Sequence, residues 1–213
     1  MKCDKQYMRL YAVTDRAWVG KQILYEQVEA ALKGGVTCVQ LREKELSEED
    51  FLAEAKEIKA LCSRYHVPFF INDNVDVAIK CQADGVHVGQ EDMKASDVRA
   101  KVGDQMIIGV SAHSVEEAVE AVKNGADCLG VGAMFATSTK ADASVLPKET
   151  LRAICEAVDV PVVAIGGIGE SNILELAGTG ADGVALVSAI FGAADIEAQC
   201  RKLRALSEEM VSR

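Results

Sequence analysis

The sequence predicts a (β/α)8 TIM barrel, a single α/β domain spanning residues 1–213 with eight parallel strands and surrounding helices. Three observations carry that expectation. One unit recurs four times: an Ala-rich helix end, a glycine-containing turn and a short apolar strand. Four further runs of strand length lie between the repeats, and the strand candidates read as nearly continuously apolar, the pattern of parallel strands buried on both faces. No Pro- or Ser-rich linker interrupts the series, so the eight β–α units share one core.

The first strand is expected over residues 8–14. The first repeat, Ala30-Ala31-Leu32-Lys33-Gly34-Gly35-Val36-Thr37-Cys38-Val39-Gln40, supplies the second. An amphipathic helix over 48–61 leads to a third strand at 69–72. The second repeat runs from Ala78 to a fourth strand, Gly85-Val86-His87-Val88, and a fifth follows at 107–111. Ser114-Val115-Glu116-Glu117 has the form of a capping box for a helix over 115–122. The third repeat leads through Cys128 into the apolar run Val131-Gly132-Ala133-Met134-Phe135, read as strand. A helix over 149–157 precedes a seventh strand at 161–165, and the fourth repeat, Leu176 to Leu186, supplies the eighth. In each repeat glycine is expected to cap the helix in the left-handed conformation, and the following Asp or Thr to close a tight αβ turn. A doubly wound open sheet is the structural alternative, weakened because no G-x-G-x-x-G follows the first strand.

The composition fits this architecture and excludes some functions. The chain is 49% hydrophobic but 5% aromatic, which suits small-residue packing between helices and sheet. A formal net charge of -10 and the absence of a basic stripe argue against nucleic-acid binding. Local Arg, Lys and backbone N–H groups can still hold a phosphorylated ligand against that field. The seven cysteines show no CxxC pair or zinc spacing, and read as reduced thiols of a cytoplasmic protein. No signal peptide and no apolar run of the ~20 residues needed to span a bilayer is visible, so no membrane partner is expected.

Function is legible where the apolar runs end. Gln40-Leu41-Arg42-Glu43-Lys44, Asn72-Asp73-Asn74, Gln90-Glu91-Asp92, Thr137-Ser138-Thr139-Lys140 and Gly166-Gly167 each follow a strand candidate. Ligand-type residues at the carboxyl ends of several parallel strands point to one shared site. Asp73 and Asp92 follow adjacent strands and suit a hard divalent cation completed by water and substrate phosphates. Alternation along an extended strand would put Gln40, Arg42 and Lys44 on one face, where Arg and Lys suit a dense anion such as pyrophosphate. Thr137-Ser138-Thr139, Gly166-Gly167-Ile168-Gly169 and Val187-Ser188 have the makings of a phosphate cradle, with Lys140 able to serve either anion. Taken singly, Asp73 reads rather as a turn residue and Asp92 as a solvated helix start, a reading their joint placement reverses, and the Gly-Gly pair could be a simple tight turn. Bases are few. His66 reads as a surface residue and His87 as barrel-lining, while His113 at a strand end is open between pocket and surface. No triad or cysteine nucleophile stands out. A site rich in anion and metal ligands but poor in bases suits chemistry driven by stabilising a departing anion. The loops over 46–50 and 136–146 are placed to close over a ligand.

These residues resemble the thiamine-phosphate synthase family over residues 11–191. The matching stretches are Tyr11-Ala12-Val13-Thr14-Asp15, Gln40-Leu41-Arg42-Glu43-Lys44, Ile71-Asn72-Asp73, His87-Val88-Gly89-Gln90-Glu91-Asp92, Gly109-Val110-Ser111-Ala112-His113-Ser114, Thr137-Ser138-Thr139-Lys140 and Ala164-Ile165-Gly166-Gly167-Ile168. The resemblance implies an enzyme that joins a hydroxymethylpyrimidine diphosphate to a thiazole phosphate, giving thiamine monophosphate and pyrophosphate, with Mg2+ as cofactor. Asp73 and Asp92 would hold the metal. The motif from Gln40 through Leu41, Arg42 and Glu43 to Lys44, with Asn72, Ser111 and Lys140, would bind the pyrimidine diphosphate. Thr137, Ser138, Thr139, Gly167, Val187 and Ser188 would hold the thiazole phosphate. Arg42, Lys44, Ser111 and Lys140 are the catalytic candidates. One departure is visible, Ala136 where the family usually shows Pro. A thiazole tautomerase-like relative, disfavoured by the presence together of Gln40, Asp92 and Thr139, or a non-catalytic thiazole-phosphate-binding protein, disfavoured by the Asp73 and Asp92 pair, is the alternative. The expected partners are small-molecule substrates, and a homo-oligomer is left open because no feature fixes the oligomeric state.

Overall fold

Eight parallel strands close into a barrel in chain order: β1 Leu10–Val13, β2 Cys38–Leu41, β3 Phe69–Asn72, β4 Gly85–Val88, β5 Ile107–Ala112, β6 Cys128–Val131, β7 Val162–Ile165 and β8 Gly183–Leu186. Closure runs through β8 and β1, with Leu10 beside Val184 and Ala12 beside Leu186. The helices are α1 Leu24–Lys33, α2 Glu48–Arg64, α3 Val75–Lys80, α4 Ala95–Val102, α5 Val115–Lys123, α6 Lys148–Ala157, α7 Ser188–Phe191 and α8 Ile196–Ser212. The computed structural model describes residues 3–20, 22–137 and 144–213. Within them no helix is long and apolar enough to cross a membrane.

Each strand serves two cores because its side chains alternate between faces. Residues such as Val39, Leu41, Ile71, Ile108 and Leu129 face outward and meet the helices. Tyr11, Cys38, Phe70, Ile107, Cys128 and Val163 face inward and fill the lower barrel, where the Tyr11 and Phe70 rings meet edge-on at 5.7 Å. Cys38 and Cys128 are therefore buried strand thiols, and among the described residues all seven cysteines are free.

The repeated turns have a shared chemistry. In each repeat the residue before an even strand pairs with the start of the preceding odd strand. Thr37 Oγ1 accepts from Leu10 N–H at 2.8 Å, Asp84 from Phe69 N–H at 2.8 Å, Asp127 from Ile108 N–H at 2.8 Å and Asp182 from Val162 N–H at 3.0 Å. The backbone N–H groups of the same four residues return the bond to the same four carbonyls. These caps pin the amino-terminal end of the barrel, opposite the mouth where the polar clusters lie.

Three expectations are corrected. Positive φ falls on Gly35, Gly125 and Gly180 in three repeats, but in the second it falls on Gln82 at +55°, while Gly85 lies inside β4 against the Phe70 ring. The run Val131–Phe135 is strand only at its first residue: β6 occupies the apolar segment before it and ends at Val131, after which Gly132 packs on the Ile165 carbonyl and the chain leaves the sheet. The seventh β–α unit carries only a short 3-10 turn, Ile173–Leu176, because the glycine loop from Gly166 to Asn172 takes up the first part of the segment before β8.

Candidate active site

Inward-facing positions turn polar toward the carboxyl ends of the strands. Gln40 lies two residues beyond Cys38 on β2, Asn72 two beyond Phe70 on β3, and Ser111 four beyond Ile107 on β5. The period of two keeps each of them on the interior face, and lateral register sets Asn72 beside His87 and His87 beside Gly109. Gln40 is buried and its Nε2 donates to the Tyr11 hydroxyl at 2.8 Å, so its amide is oriented from below.

His87 fits because two neighbours lack side chains. A Cβ on Gly109 would lie 2.5 Å from its Nδ1, and one on Gly130 3.1 Å from its Cε1. Its Nε2 lies 3.0 Å from Ser111 Oγ, and its buried Nδ1 has no hydrogen-bond partner. A buried orphan lone pair is less costly than a buried orphan N–H, so the partner pattern assigns the proton to Nε2, which donates to Ser111. The hydroxyl proton of Ser111 is then free for a ligand. Burial holds the imidazole neutral, with its pKa lowered to about 4 against a smaller opposing pull from Asp92.

The carboxylates Asp73 and Asp92 come together at the mouth, both on the solvent side. Asp73 sits at φ +62°, a left-handed turn that Asp tolerates, with its N–H bonded to the His87 carbonyl at 2.8 Å. Asp92 accepts from Gly89 N–H at 2.7 Å, and Asn72 donates to Asp73 at 2.6 Å. Burial against the rim, then the like charge of Asp92, pushes the Asp73 pKa up to about 6, while Asn72 and the Lys44 ammonium pull it down. Among the described residues no three His, Cys, Asp or Glu side chains form a metal cluster. A carboxylate whose pKa is raised partly by a second carboxylate beside it does fit a hard cation that takes its remaining ligands from water and substrate phosphates.

The motif after β2 is built differently from its alternation. The strand ends at Leu41, so the period of two does not extend to Lys44. Arg42 is held by Asp15 at 2.9 Å, and Lys44 is exposed yet close enough to act on Asp73. Leu41, expected among the substrate contacts, turns outward and is 0% exposed in the helix-facing core, so its side chain serves packing. Glu43, also expected there, commits its carboxylate to Arg16 and to the backbone N–H groups of Lys44 and Glu45. Sequence reasoning missed Asp15 as the partner of Arg42. A D-R pair after β1 facing an R-E pair after β2 was the available signal.

Across the mouth, Ala136, Thr137, Gly167, Ile168, Asn172 and Ser188 help line a cavity of about 320 Å3. Gly167, at φ +66°, passes so close to the Phe135 and Ala136 carbonyls that a Cβ would lie 2.6 and 2.5 Å from them. Asn172, another residue the sequence did not single out, holds this loop: its Oδ1 accepts from Gly169 N–H at 2.8 Å and its Nδ2 donates to the Gly167 carbonyl at 3.0 Å. Val187 is half-buried, and the exposed Ser188 opens α7. Ser138, Thr139 and Lys140 lie outside the described residues, as does most of the loop expected over 136–146. Of the other expected lid, residues 48–50 are the first turn of α2 rather than loop. His113 is exposed and its Nδ1 lies 3.0 Å from Glu117, which also accepts its backbone N–H, so the expected capping box reaches one residue further back than Ser114. His66 is on the surface.

Residues 10–190 match the family model described as thiamine monophosphate synthase. The chain is 49% identical over 193 residues to the thiamine-phosphate synthase of Clostridium acetobutylicum, covering 91% of this chain and 92% of that protein. It is 50% identical over 194 residues to the thiamine-phosphate synthase of Ruminiclostridium cellulolyticum, with the same coverage of 91% and 92%. A solved structure of thiamine phosphate pyrophosphorylase from Pyrococcus furiosus superposes with a TM-score of 0.89 at 41% identity, covering 97% of this chain and 98% of that one.

Proposed function

The chain belongs to the thiamine monophosphate synthase family and is an enzyme of that type, and from that premise we propose that it couples a hydroxymethylpyrimidine diphosphate to a thiazole phosphate in thiamine biosynthesis. The observation that carries the reading is one barrel mouth with two anion-directed halves. Arg42, Lys44 and the Asp73–Asp92 pair stand over β2 to β4, and the Gly167–Ser188 cavity stands over β6 to β8.

The chemistry needs placement and charge rather than a strong base. The bond between the pyrimidinylmethyl carbon and the diphosphate oxygen breaks, and its electron pair leaves with pyrophosphate. The thiazole nitrogen then donates its lone pair to that carbon and forms the new C–N bond. Arg42 and Lys44 meet the departing anion, joined by Lys140 on the family motif. Ser111 donates its hydroxyl proton to the same group, oriented by neutral His87. Gln40 and Asn72 face the interior where the pyrimidine ring would lie. The Gly167 loop, Thr137 and Ser188 anchor the thiazole phosphate and so aim the nucleophile. Mg2+ held by Asp73 and Asp92 would add positive charge against the pyrophosphate. The free cysteines favour a reducing compartment, which we take to be the cytoplasm.

The test is a coupled assay with both substrates and Mg2+, with and without EDTA, following thiamine phosphate and pyrophosphate. Equal, metal-dependent formation of the two products is expected. Tight binding of the thiazole phosphate without product would instead favour a tautomerase-like or purely binding role.

A further inference from the structure

Two consecutive residues of the loop after β1 grip two consecutive residues of the loop after β2, with the charges reversed between the rungs. Asp15 lies 2.9 Å from Arg42 Nη1. Arg16 donates to Glu43 through Nε at 2.7 Å and sets Nη2 2.6 Å from the same oxygen, and that Nη2 also lies 3.0 Å from both carboxylate oxygens of Glu54 on α2. The Glu43 side chain is 3% exposed, and its other oxygen accepts from the N–H groups of Lys44 at 2.8 Å and Glu45 at 3.0 Å. We propose that Arg16 is a positioning residue for the pyrophosphate-binding cations Arg42 and Lys44, acting through Glu43. The proposal rests on the functional reading above and deepens it.

The physical reason lies in what Glu43 does. Its carboxylate closes the turn that carries Lys44 toward Asp73, and nearly buried charge of this kind persists only while it is paired and hydrogen-bonded. Burial works against the charged form, yet Arg16 and the two backbone donors hold its pKa below the usual carboxylate value. Without Arg16, Glu43 must take up a proton or swing toward water. Either change loosens the turn beneath Lys44 and shifts the neighbouring Arg42. The alternating signs also fix register, because a slip of one residue in one direction would set Asp15 against Glu43 and Arg16 against Lys44, and in the other Arg16 against Arg42. The loop that supplies the grip is itself anchored, with Asp15 Oδ1 accepting from Ala17 N–H at 2.9 Å.

The experiment compares Arg16→Met and Arg16→Lys with wild type by calorimetric binding of inorganic pyrophosphate in Mg2+, and by KM for each substrate. Arg16→Met should weaken pyrophosphate binding and raise KM for the pyrimidine diphosphate roughly 10- to 100-fold, the scale of small misplacements at a reacting centre. KM for the thiazole phosphate should stay within about twofold, since its anchors lie across the barrel. Arg16→Lys should fall between, because a point charge cannot make the fork. If Arg16→Met does not fold, Arg16→Lys and Glu54→Gln carry the test with smaller losses in the same substrate. Unchanged pyrophosphate affinity, or an equal loss for both substrates together with a lower melting temperature, would overturn the proposal. A wild type that binds pyrophosphate without making product would sink the coupling reaction but not the positioning role, which stands if Arg16→Met still weakens that binding. A wild type that does not bind pyrophosphate overturns both.

Discussion

His87 on β4 and Ser111 on β5 meet inside the barrel, Nε2 to Oγ at 3.0 Å, directly beneath the rim that carries Asp73. The surroundings of His87 and of Asp73 impose opposite pH dependences on the fold. The His87 pKa is lowered from 6.5 to about 4, so the unfolded chain binds more protons between those values, and stability from this residue is lost as pH falls through that window. The Asp73 pKa is raised from 3.8 to about 6, so its folded form binds more protons there, and its contribution is lost as pH rises. The two trends offset in the wild type. Asp73→Asn should expose the histidine trend as a melting temperature that climbs more steeply from pH 4 to 6.5. A profile parallel to the wild type would contradict the assignment.

The same carboxylate pair predicts a metal response. Asp92→Asn removes the like charge and should lower the Asp73 pKa from about 6 toward 3.8, followed by carboxyl NMR titration. Mg2+ added to wild type should lower it as well and raise the melting temperature. In Asp92→Asn the shift caused by Mg2+ should shrink. A titration of Asp73 insensitive to both changes would remove the pair as a cation site.

Room for the imidazole depends on two glycines to different degrees. Ala at Gly109 would bring Cβ to 2.5 Å from Nδ1 and 3.2 Å from Cγ of His87, which leaves the ring no small adjustment. Ala at Gly130 would approach to 3.1 Å, which the ring relieves by moving a few tenths of an ångström. Gly109→Ala should therefore lose about 1–3 kcal/mol in urea denaturation, the range for overpacking, and Gly130→Ala clearly less. Gly109→Ala should also lose turnover by displacing His87 from Ser111. The reverse order would mean that the ring has space on the β5 side.

The sequence made strands legible where an apolar run ended at once in polar residues. β3 and β4 begin and end where the runs at 69–72 and 85–88 predict. It misled at Val131–Phe135, because periodicity cannot distinguish a buried strand from apolar residues that pack as irregular chain after the strand has turned out of the sheet. The turn-closing role of Thr37, Asp84, Asp127 and Asp182 was readable, but their partners on the preceding strand were not, since register is a property of the closed barrel. At the mouth, the carboxylate pair could be proposed because its members follow adjacent strands. The grip of Asp15 on Arg42 joins residues 27 apart in the chain and has no periodic signature. Asn172 was invisible for a related reason: it touches only backbone, and its importance comes from the loop it holds.

That loop gives a prediction about substrate selectivity. Asn172 both accepts from Gly169 and donates to Gly167, so it fixes the glycine stretch that lines the cavity with Thr137 and Ser188. Asn172→Ala should raise KM for the thiazole phosphate about tenfold and leave that for the pyrimidine diphosphate near wild type. Asn172→Asp keeps the acceptor but loses the donor and adds negative charge beside the anion cradle, so its loss should be greater than that of Ala. Equal effects on both substrates would show that the two halves of the mouth are not separately held.

The opposite end of the barrel should behave in the opposite way. Asp84 accepts from Phe69 N–H at 2.8 Å and from Lys59 at 2.6 Å, and both donors lose their charged acceptor in Asp84→Ala. Hydrogen bonds to charged groups are worth about 1.5–3 kcal/mol, so a stability loss of that size is expected in urea denaturation. Asp84 lies at the amino-terminal end of β4 while the proposed substrates meet at the carboxyl end, so kcat and KM should stay near wild type at temperatures where the variant is folded. Asp127→Ala should follow the same pattern, because Asp127 caps Ile108 and receives Arg99 in the same way. A variant of either kind that kept its stability but lost turnover would place these caps in communication with the mouth and break the division of the barrel into a structural end and a chemical end.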